Sequence, residues 1–183
     1  MCPTDTVEPA PLQGLGPIIS PSTTLIVLGS FPGAASLRAQ QYYAHPRNFF
    51  WPIVSALWGL EGDAALQHRP YAERVAEARS RGLGIWDVYA SCLREGSLDS
   101  AIEQAELNTL DRLREWAPGL KGIAHNGGES ARHMKITQTL GLPVVKLPST
   151  SPANASWSFE RKLAAWREAF TQFGLDTASP RTD

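Results

Sequence analysis

The chain has 183 residues, 43% of them hydrophobic, and a formal net charge of −1 at pH 7. That is enough for one domain with a buried core, and no apolar run reaches the roughly 18 residues of a membrane-crossing helix. Cys2 and Cys92 are too few for a disulfide framework, a zinc site or an iron–sulfur cluster, and Asp5 and Glu8 stand where a signal peptide carries basic residues. The expectation is a cytoplasmic chain with two free thiols, Cys92 packed in the core.

Residues 1–22 are rich in Pro, Gly and Thr and are expected to be a flexible tail; residues 23–174 form a single domain and 175–183 a second flexible tail. TLIVLGS (24–30) is a continuous apolar run ending at Gly and Ser, the pattern of a strand buried on both faces. Two helical patterns follow, FFWPIVSALWG after Asn48 and PYAERVAEARSRG from Pro70, and then a second strand, GLGIWDV (82–88). LNTLDRLREWAPG from Leu107 has a helical period, KGIAHN (121–126) is a third strand, GGESARHMKITQTLG from Gly127 is helical, and PVVKLPS (143–149) is a fourth strand. SWSFERKLAAWREAF closes the domain with Phe159, Leu163, Trp166 and Phe170 on one helical face. Strands alternating with helices imply an α/β fold, a three-layer α/β/α sandwich around a central, mainly parallel four- to five-stranded sheet.

In such a sheet the chemistry lies beyond the carboxyl ends of the strands. Four loops occupy that position: GSFPGAAS (29–36), YASCLREGSLDS (89–100), HNGGES (125–130) and PSTSPANAS (148–156). The first lacks the lysine and spacing of a P-loop and is not a dinucleotide fingerprint. No GxSxG elbow occurs, and His45, His125 and His133 have neither HxxxH spacing nor cysteine partners, so no metal site is expected. Between the first loop and the first long helix, QYYAHPRNFFW (41–51) crowds five aromatic residues around His45, Pro46, Arg47 and Asn48, in a chain that is 9% aromatic.

The small net charge hides a partition. Residues 24–51 carry Arg38 and Arg47 and no acid, and residues 119–152 carry Lys121, Arg132, Lys135 and Lys146 against Glu129 alone. Residues 83–118 hold three arginines against seven acids. Positive charge is therefore gathered around the first and last loops, the footprint expected of a polyanion-binding side.

GSFPGAASLRAQQYYAHPRNFFW after the first strand, GLGIWDVYASCLREGSLDSAI at the second and LPSTSPANA at the fourth resemble the uracil-DNA glycosylase superfamily. The nearest likeness is to its hypoxanthine-DNA (deoxyinosine) branch, which is related to the mismatch-specific uracil and thymine glycosylases. The resemblance spans residues 24–172. It implies a monofunctional, metal-free enzyme of base excision repair without a cofactor. Such an enzyme flips a deaminated base, hypoxanthine or uracil, out of DNA and hydrolyses its N-glycosidic bond to leave an abasic site. Its partner would be damaged or mismatched DNA, with no membrane, and it would act as a monomer.

Carried over residue by residue, the resemblance makes Gly29, Ser30, Phe31, Pro32 and Gly33 the floor of a base pocket, with Phe31 as the stacking face, and Tyr42 or Tyr43 is expected at its wall. Asn48 matches the amide that reads the base and supports cleavage; an amide offers donors and an acceptor together and so suits a lactam edge. Asn48 is also a natural helix cap before Phe49. Donors from Asn48 and the backbone around Ser30 would stabilise charge on the departing base, and backbone carbonyls or the Ser30 hydroxyl would orient the attacking water. The loop holding Ser149, Thr150, Ser151 and Pro152 would enter the minor groove, with Ser149, Thr150 and Ser151 contacting phosphates, and Arg38, His45 and Arg47 would clamp the backbone. HNGGES opens a helix whose amides could hold another phosphate.

Two positions depart from better-known relatives. Phe31 stands where uracil glycosylases carry Asp and mismatch-specific ones Asn, and Leu147 stands where His or Asn begins the last motif; both agree with the hypoxanthine branch. Asp87 is the one carboxylate at a strand end, and a structural hydrogen bond from the sheet to a loop is expected of it, with catalysis as the alternative. Two other functions remain open at this point: a hydrolase or phosphorylase of free nucleosides, and a non-catalytic DNA-damage binding module.

Overall fold

The computed structural model describes residues 10–179. In chain order its strands are β1 (Leu12–Gln13), β2 (Leu25–Gly29), β3 (Leu83–Asp87), β4 (Tyr89–Leu93), β5 (Glu103–Leu107), β6 (Gly122–Asn126) and β7 (Val144–Leu147). Its α-helices are α1 (Ala34–Ala39), α2 (Phe50–Leu57), α3 (Tyr71–Ser80), α4 (Leu113–Trp116), α5 (Gly128–Ala131), α6 (Met134–Gln138) and α7 (Phe159–Gln172). The four strands anticipated from apolar runs form one parallel sheet in the order β3-β2-β6-β7. β2 and β3 are buried at every position, as strands covered on both faces must be.

The chain leaves β2 through α1, α2 and α3 to reach β3, then returns past β2 to β6. These connections run in opposite directions, so right-handed crossovers place them on opposite faces of the sheet. On one face α2 packs against α7; on the other α6 meets the turn before α4. The result is the expected three-layer sandwich. Pro52 sits in the first turn of α2, where its missing N–H would have had no partner. Trp166 and Phe170 of α7 are fully buried, each contributing on the order of 2 kcal/mol by area removed from water.

The structure departs from the sequence expectations in three places. Residues 10–22 are packed, not a free tail: β1 pairs antiparallel with β4, Ile18 is buried and bridges Ile85 on the outer edge of β3, and Leu15 O accepts from the Tyr42 hydroxyl (3.1 Å). At the other end Leu175 is buried and Ala178 N–H donates to Leu57 O (2.7 Å). The rest of the two anticipated tails, residues 1–9 and 180–183, lies outside the described residues.

Second, the loop expected at 89–100 begins as β4, the centre of a small antiparallel sheet in the order β1-β4-β5. Cys92 on β4 is fully buried, as anticipated. β5 reads EQAEL and is mostly exposed; its charges suit an edge strand that must not recruit another chain. Third, the helical patterns from Leu107 and Gly127 are cut short. Leu107 is spent in β5, and the second pattern breaks into α5 and α6. Buried His125 on β6 hydrogen-bonds Ser130 on α5 (2.7 Å) and Thr137 on α6 (2.9 Å), tying both short helices to the sheet.

Candidate active site

Strand register puts Gly29 beside Asp87 and Asn126 beside Leu147. The four parallel strands thus end in a row, Asp87, Gly29, Asn126, Leu147, and above that row opens a cavity of about 1000 Å³ lined by all four. Its position is the one that the topology requires. The loop after β2, the aromatic segment before α2, the tip between β4 and β5 and the loop after β7 form its walls.

Of the residues anticipated from the sequence, Gly29, Ser30, Phe31, Pro32, Gly33, Tyr43, His45, Arg47, Asn48, Ser149, Thr150, Ser151 and Pro152 all line this cavity. Arg38 does not: it lies exposed in the last turn of α1, away from the opening. Lys146 joins Arg47 and His45 in lining the cavity; of the other clustered cations, Arg38, Lys121, Arg132 and Lys135 do not line it.

Asn48 Oδ1 accepts from Phe50 N–H (2.9 Å) at the start of α2. Phe49 and not Asn48 occupies the N-cap position, so Asn48 braces the helix start from one residue further out while lining the cavity. With its carbonyl held in this way, the carboxamide presents Nδ2 to the cavity as a donor, without a protein partner among the described residues. The segment before it is fixed by aromatic packing. Tyr43 stacks on Phe50 with ring centroids 3.9 Å apart, Trp51 Nε1–H donates to Tyr42 O (3.0 Å), and Phe50 meets Trp166 edge to face. Tyr43 holds a left-handed backbone (φ 56), a strained conformation for a bulky residue.

Two expected roles change. Thr150, placed among the phosphate contacts, is fully buried. Its N–H donates to Asn126 Oδ1 (3.0 Å), its hydroxyl accepts from Asn126 Nδ2 (3.0 Å) and its carbonyl accepts from Phe49 N–H (3.0 Å). It pins the last loop to the sheet instead of facing DNA. Phe31 is 6% exposed, and the Arg94 guanidinium lies 5.1 Å from its ring centroid, so little of the ring is left as a stacking platform. Three carbonyls of the first loop already accept one bond each: Gly29 O from Val88 N–H, Ser30 O from Tyr89 N–H and Pro32 O from Arg94 Nη2. Each therefore keeps one lone pair for a water.

The cavity also holds two carboxyl groups. Ser30 Oγ–H donates to Asp99 Oδ1 (2.6 Å) at the mouth. Solvent reaches Asp99, yet the protein crowding its carboxyl raises its pKa, an effect that the Ser30 bond partly offsets and that Glu129 reinforces. Asp87 is 4% exposed. Its carboxylate does not make the expected sheet-to-loop bond; that bond is made by its main-chain carbonyl, which accepts from Asn108 Nδ2 (2.9 Å), while Oδ2 is buried with no partner. Burial, then the nearby Asp99, lifts its pKa to about 7 against the pull of Arg94.

Among the cavity residues not singled out in the sequence, three stand out. Asn126 is a hub, donating to the Tyr43 hydroxyl (3.2 Å) and bonding Thr150 twice; as the last residue of a buried strand it could have been found by the strand-end rule. Asp99 and Leu98 stand at the tip of the 89–100 segment, which was expected among the site loops, but neither residue was picked out within it. Leu98 is 58% exposed at the mouth. Among the described residues no cluster of His, Cys, Asp or Glu suited to a metal ion occurs.

Comparison with known proteins adds a second line. The family model described as the uracil DNA glycosylase superfamily matches residues 17–170. A hypoxanthine DNA glycosylase of Methanosarcina barkeri is 35% identical over 158 residues, 86% of this chain and 97% of that protein. One from Methanosarcina acetivorans is 33% identical over the same shares. A solution NMR structure of a Methanosarcina acetivorans protein, described as a candidate uracil DNA glycosylase, superposes with a TM-score of 0.79. It is 32% identical and covers 90% of this chain and 99% of its own.

Proposed function

Since the chain belongs to the uracil DNA glycosylase superfamily, it is a DNA glycosylase of base repair, a hydrolase of N-glycosyl bonds, and we propose that the base it removes is hypoxanthine. The observation that carries the proposal is the Asn48 amide, held by Phe50 N–H so that its donors meet the cavity. Hypoxanthine carries a lactam carbonyl on which negative charge grows as the glycosidic bond breaks. A fixed donor aimed at that charge lowers the barrier without reorganising. The two relatives named as hypoxanthine DNA glycosylases, each about one-third identical to this chain, support the same choice.

In this scheme the base is flipped, because a nucleobase inside a duplex cannot reach a row of strand ends at the bottom of a cavity. Arg47, His45 and Lys146 meet phosphates, and Ser149 and Ser151 brace the strand. Leu98, apolar and exposed at the mouth, fills the gap that the base leaves. The deoxyribose develops oxocarbenium character. The water that attacks C1′ is oriented by Asp99 and Ser30, the one hydrogen-bonded carboxylate–hydroxyl pair at the opening. We propose further that the enzyme acts as a monomer, with mismatched lesions favoured because unpairing them costs least.

The test is an excision assay on duplexes carrying a single deoxyinosine, deoxyuridine, deoxyxanthosine or mismatched thymidine, followed by alkaline cleavage, with free deoxyinosine alongside. Deoxyinosine in duplex DNA is expected to be cut fastest and the free nucleoside not at all. Asn48→Ala is expected to lose about 100-fold or more, the size of an oxyanion-type donor. An undiminished Asn48→Ala rate would remove this residue from the mechanism. Binding to the deoxyinosine duplex with no abasic product would favour a binding module instead.

A further inference from the structure

Asp87 takes no part in the scheme above, yet it ends β3 in the floor of the same cavity. Its neighbour across the register is Gly29, and a Cβ built there would stand 2.4 Å from Asp87 Oδ1. The carboxyl therefore lies over the Gly29 backbone, in space that a glycine leaves open. It is almost fully buried, and Oδ2 has no hydrogen-bond partner. Buried polar groups are nearly always satisfied, and one left unpaired costs about 1–3 kcal/mol. Asp87 also lines the ligand-sized cavity, so a base entering that cavity is a partner the carboxyl can gain there.

We propose that the Asp87 carboxyl is a direct contact of the extruded base, donating its O–H to an acceptor on that base. The proposal rests on the glycosylase function above and names a specificity group of the same site. The surroundings decide which form the carboxyl takes. Among the described residues the cation acting on it is Arg94, just past β4, and the Arg94 guanidinium is drawn to Pro32 O and the Phe31 ring. Asp99, from the tip between β4 and β5, opposes ionisation. Tyr42 and Tyr43, before α2, and Tyr71, on α3, interact with the same charge, and each has its own pKa raised, with burial the largest cause. With burial dominating, the acid form persists to about pH 7.

A neutral acid supplies what the departing base needs. The C1′–N bond breaks with its electron pair on the base, water oxygen bonds to C1′, and the base leaves carrying a proton. An O–H donor on its carbonyl or ring nitrogen favours that flow of charge without itself being consumed. An ionised Asp87 would instead repel it.

Two measurements test this. In single-turnover excision of deoxyinosine from duplex DNA, the wild-type rate is expected to fall about tenfold per pH unit above roughly pH 8. Asp87→Asn, which keeps a donor but cannot ionise, is expected to stay level over that range, and Asp87→Ala to run about 10–100-fold slower at pH 6. Independently, the Asp87 carboxyl of the wild-type protein is titrated by carbon-13 NMR. The titrations are run with no DNA, with undamaged duplex and with a duplex holding uncleavable 2′-fluoro-2′-deoxyinosine. The lesion alone is expected to move the titration upward. An unmoved titration overturns the proposal, as do variants that keep the wild-type rate and pH profile. If the titration moves with the lesion but no base is released, the contact stands and the assigned chemistry fails.

Discussion

Replacing Asp87 with Asn should stabilise the protein, and by an amount that depends on pH in a defined way. The carboxyl ionises near 3.8 in the unfolded chain and near 7 in the folded one, chiefly because it is buried. Its folded pKa is raised, so the folded state is undisturbed by this group below pH 4 and loses stability steadily as pH rises through 7. A displacement of that size corresponds to about 4 kcal/mol. Asn is similar in size and carries no charge at any pH. The stability difference between Asp87→Asn and wild type is therefore expected to grow by about 4 kcal/mol between pH 4 and pH 8 and to level off above. Urea denaturation followed by tryptophan fluorescence at pH 4, 6 and 8 measures it. His125, which burial pushes down to about 4, titrates in both proteins and cancels in the difference. A difference that is the same at pH 4 and pH 8 would refute the assignment of Asp87 as an isolated buried acid. The expected gain in stability, beside the expected change in the pH dependence of turnover, is the trade that functional sites commonly show.

Gly29→Ala places a methyl group against Asp87 Oδ1 and is expected to cost about 1–3 kcal/mol, as overpacking does, and to slow excision; a melting curve superposing on wild type would show that the carboxyl moves aside freely. Asn126→Ala removes three hydrogen bonds and should cost about 2–4 kcal/mol, with hydrogen exchange accelerated in the loop around Thr150 and nowhere else in the sheet. Lys162 is fully buried, donates to Asn154 O (2.8 Å) and lies 5.1 Å from the Phe49 ring centroid; Lys162→Met should weaken DNA binding more than it lowers the single-turnover rate, and a rate loss with unchanged affinity would contradict its place behind the DNA-facing loop. Leu98→Ala, at an exposed position, should leave stability within about 0.5 kcal/mol of wild type while slowing excision from duplex more than from single-stranded DNA.

The parallel sheet was legible because β2 and β3 are buried at every position and read as apolar runs, as in Leu25–Leu28, and because even β7, half-buried with Lys146 exposed, keeps Val144, Val145 and Leu147 together. The second sheet was not, because β5 is a polar edge strand and β1 is two residues long; both exist through pairing with β4, a non-local contact that no window of sequence contains. The cavity residues of the first loop and the aromatic segment were found because their motif is dense and contiguous. Thr150 was misassigned for the opposite reason: hydroxyl residues in a turn look alike in sequence, and only the Asn126 and Phe49 partners, brought near by folding, show which one points inward. Asp99 escaped notice because the residue that gives it meaning, Ser30, is 69 positions away.

The row of strand ends makes recognition and folding share the same residues. Asp87, Gly29, Asn126 and Leu147 sit at one level, on the last rungs that hold the strands together, and all four line the cavity. The floor behaves as the top course of a wall that is also the sill of its window. A change of side chain at that level alters the frame together with what the frame admits.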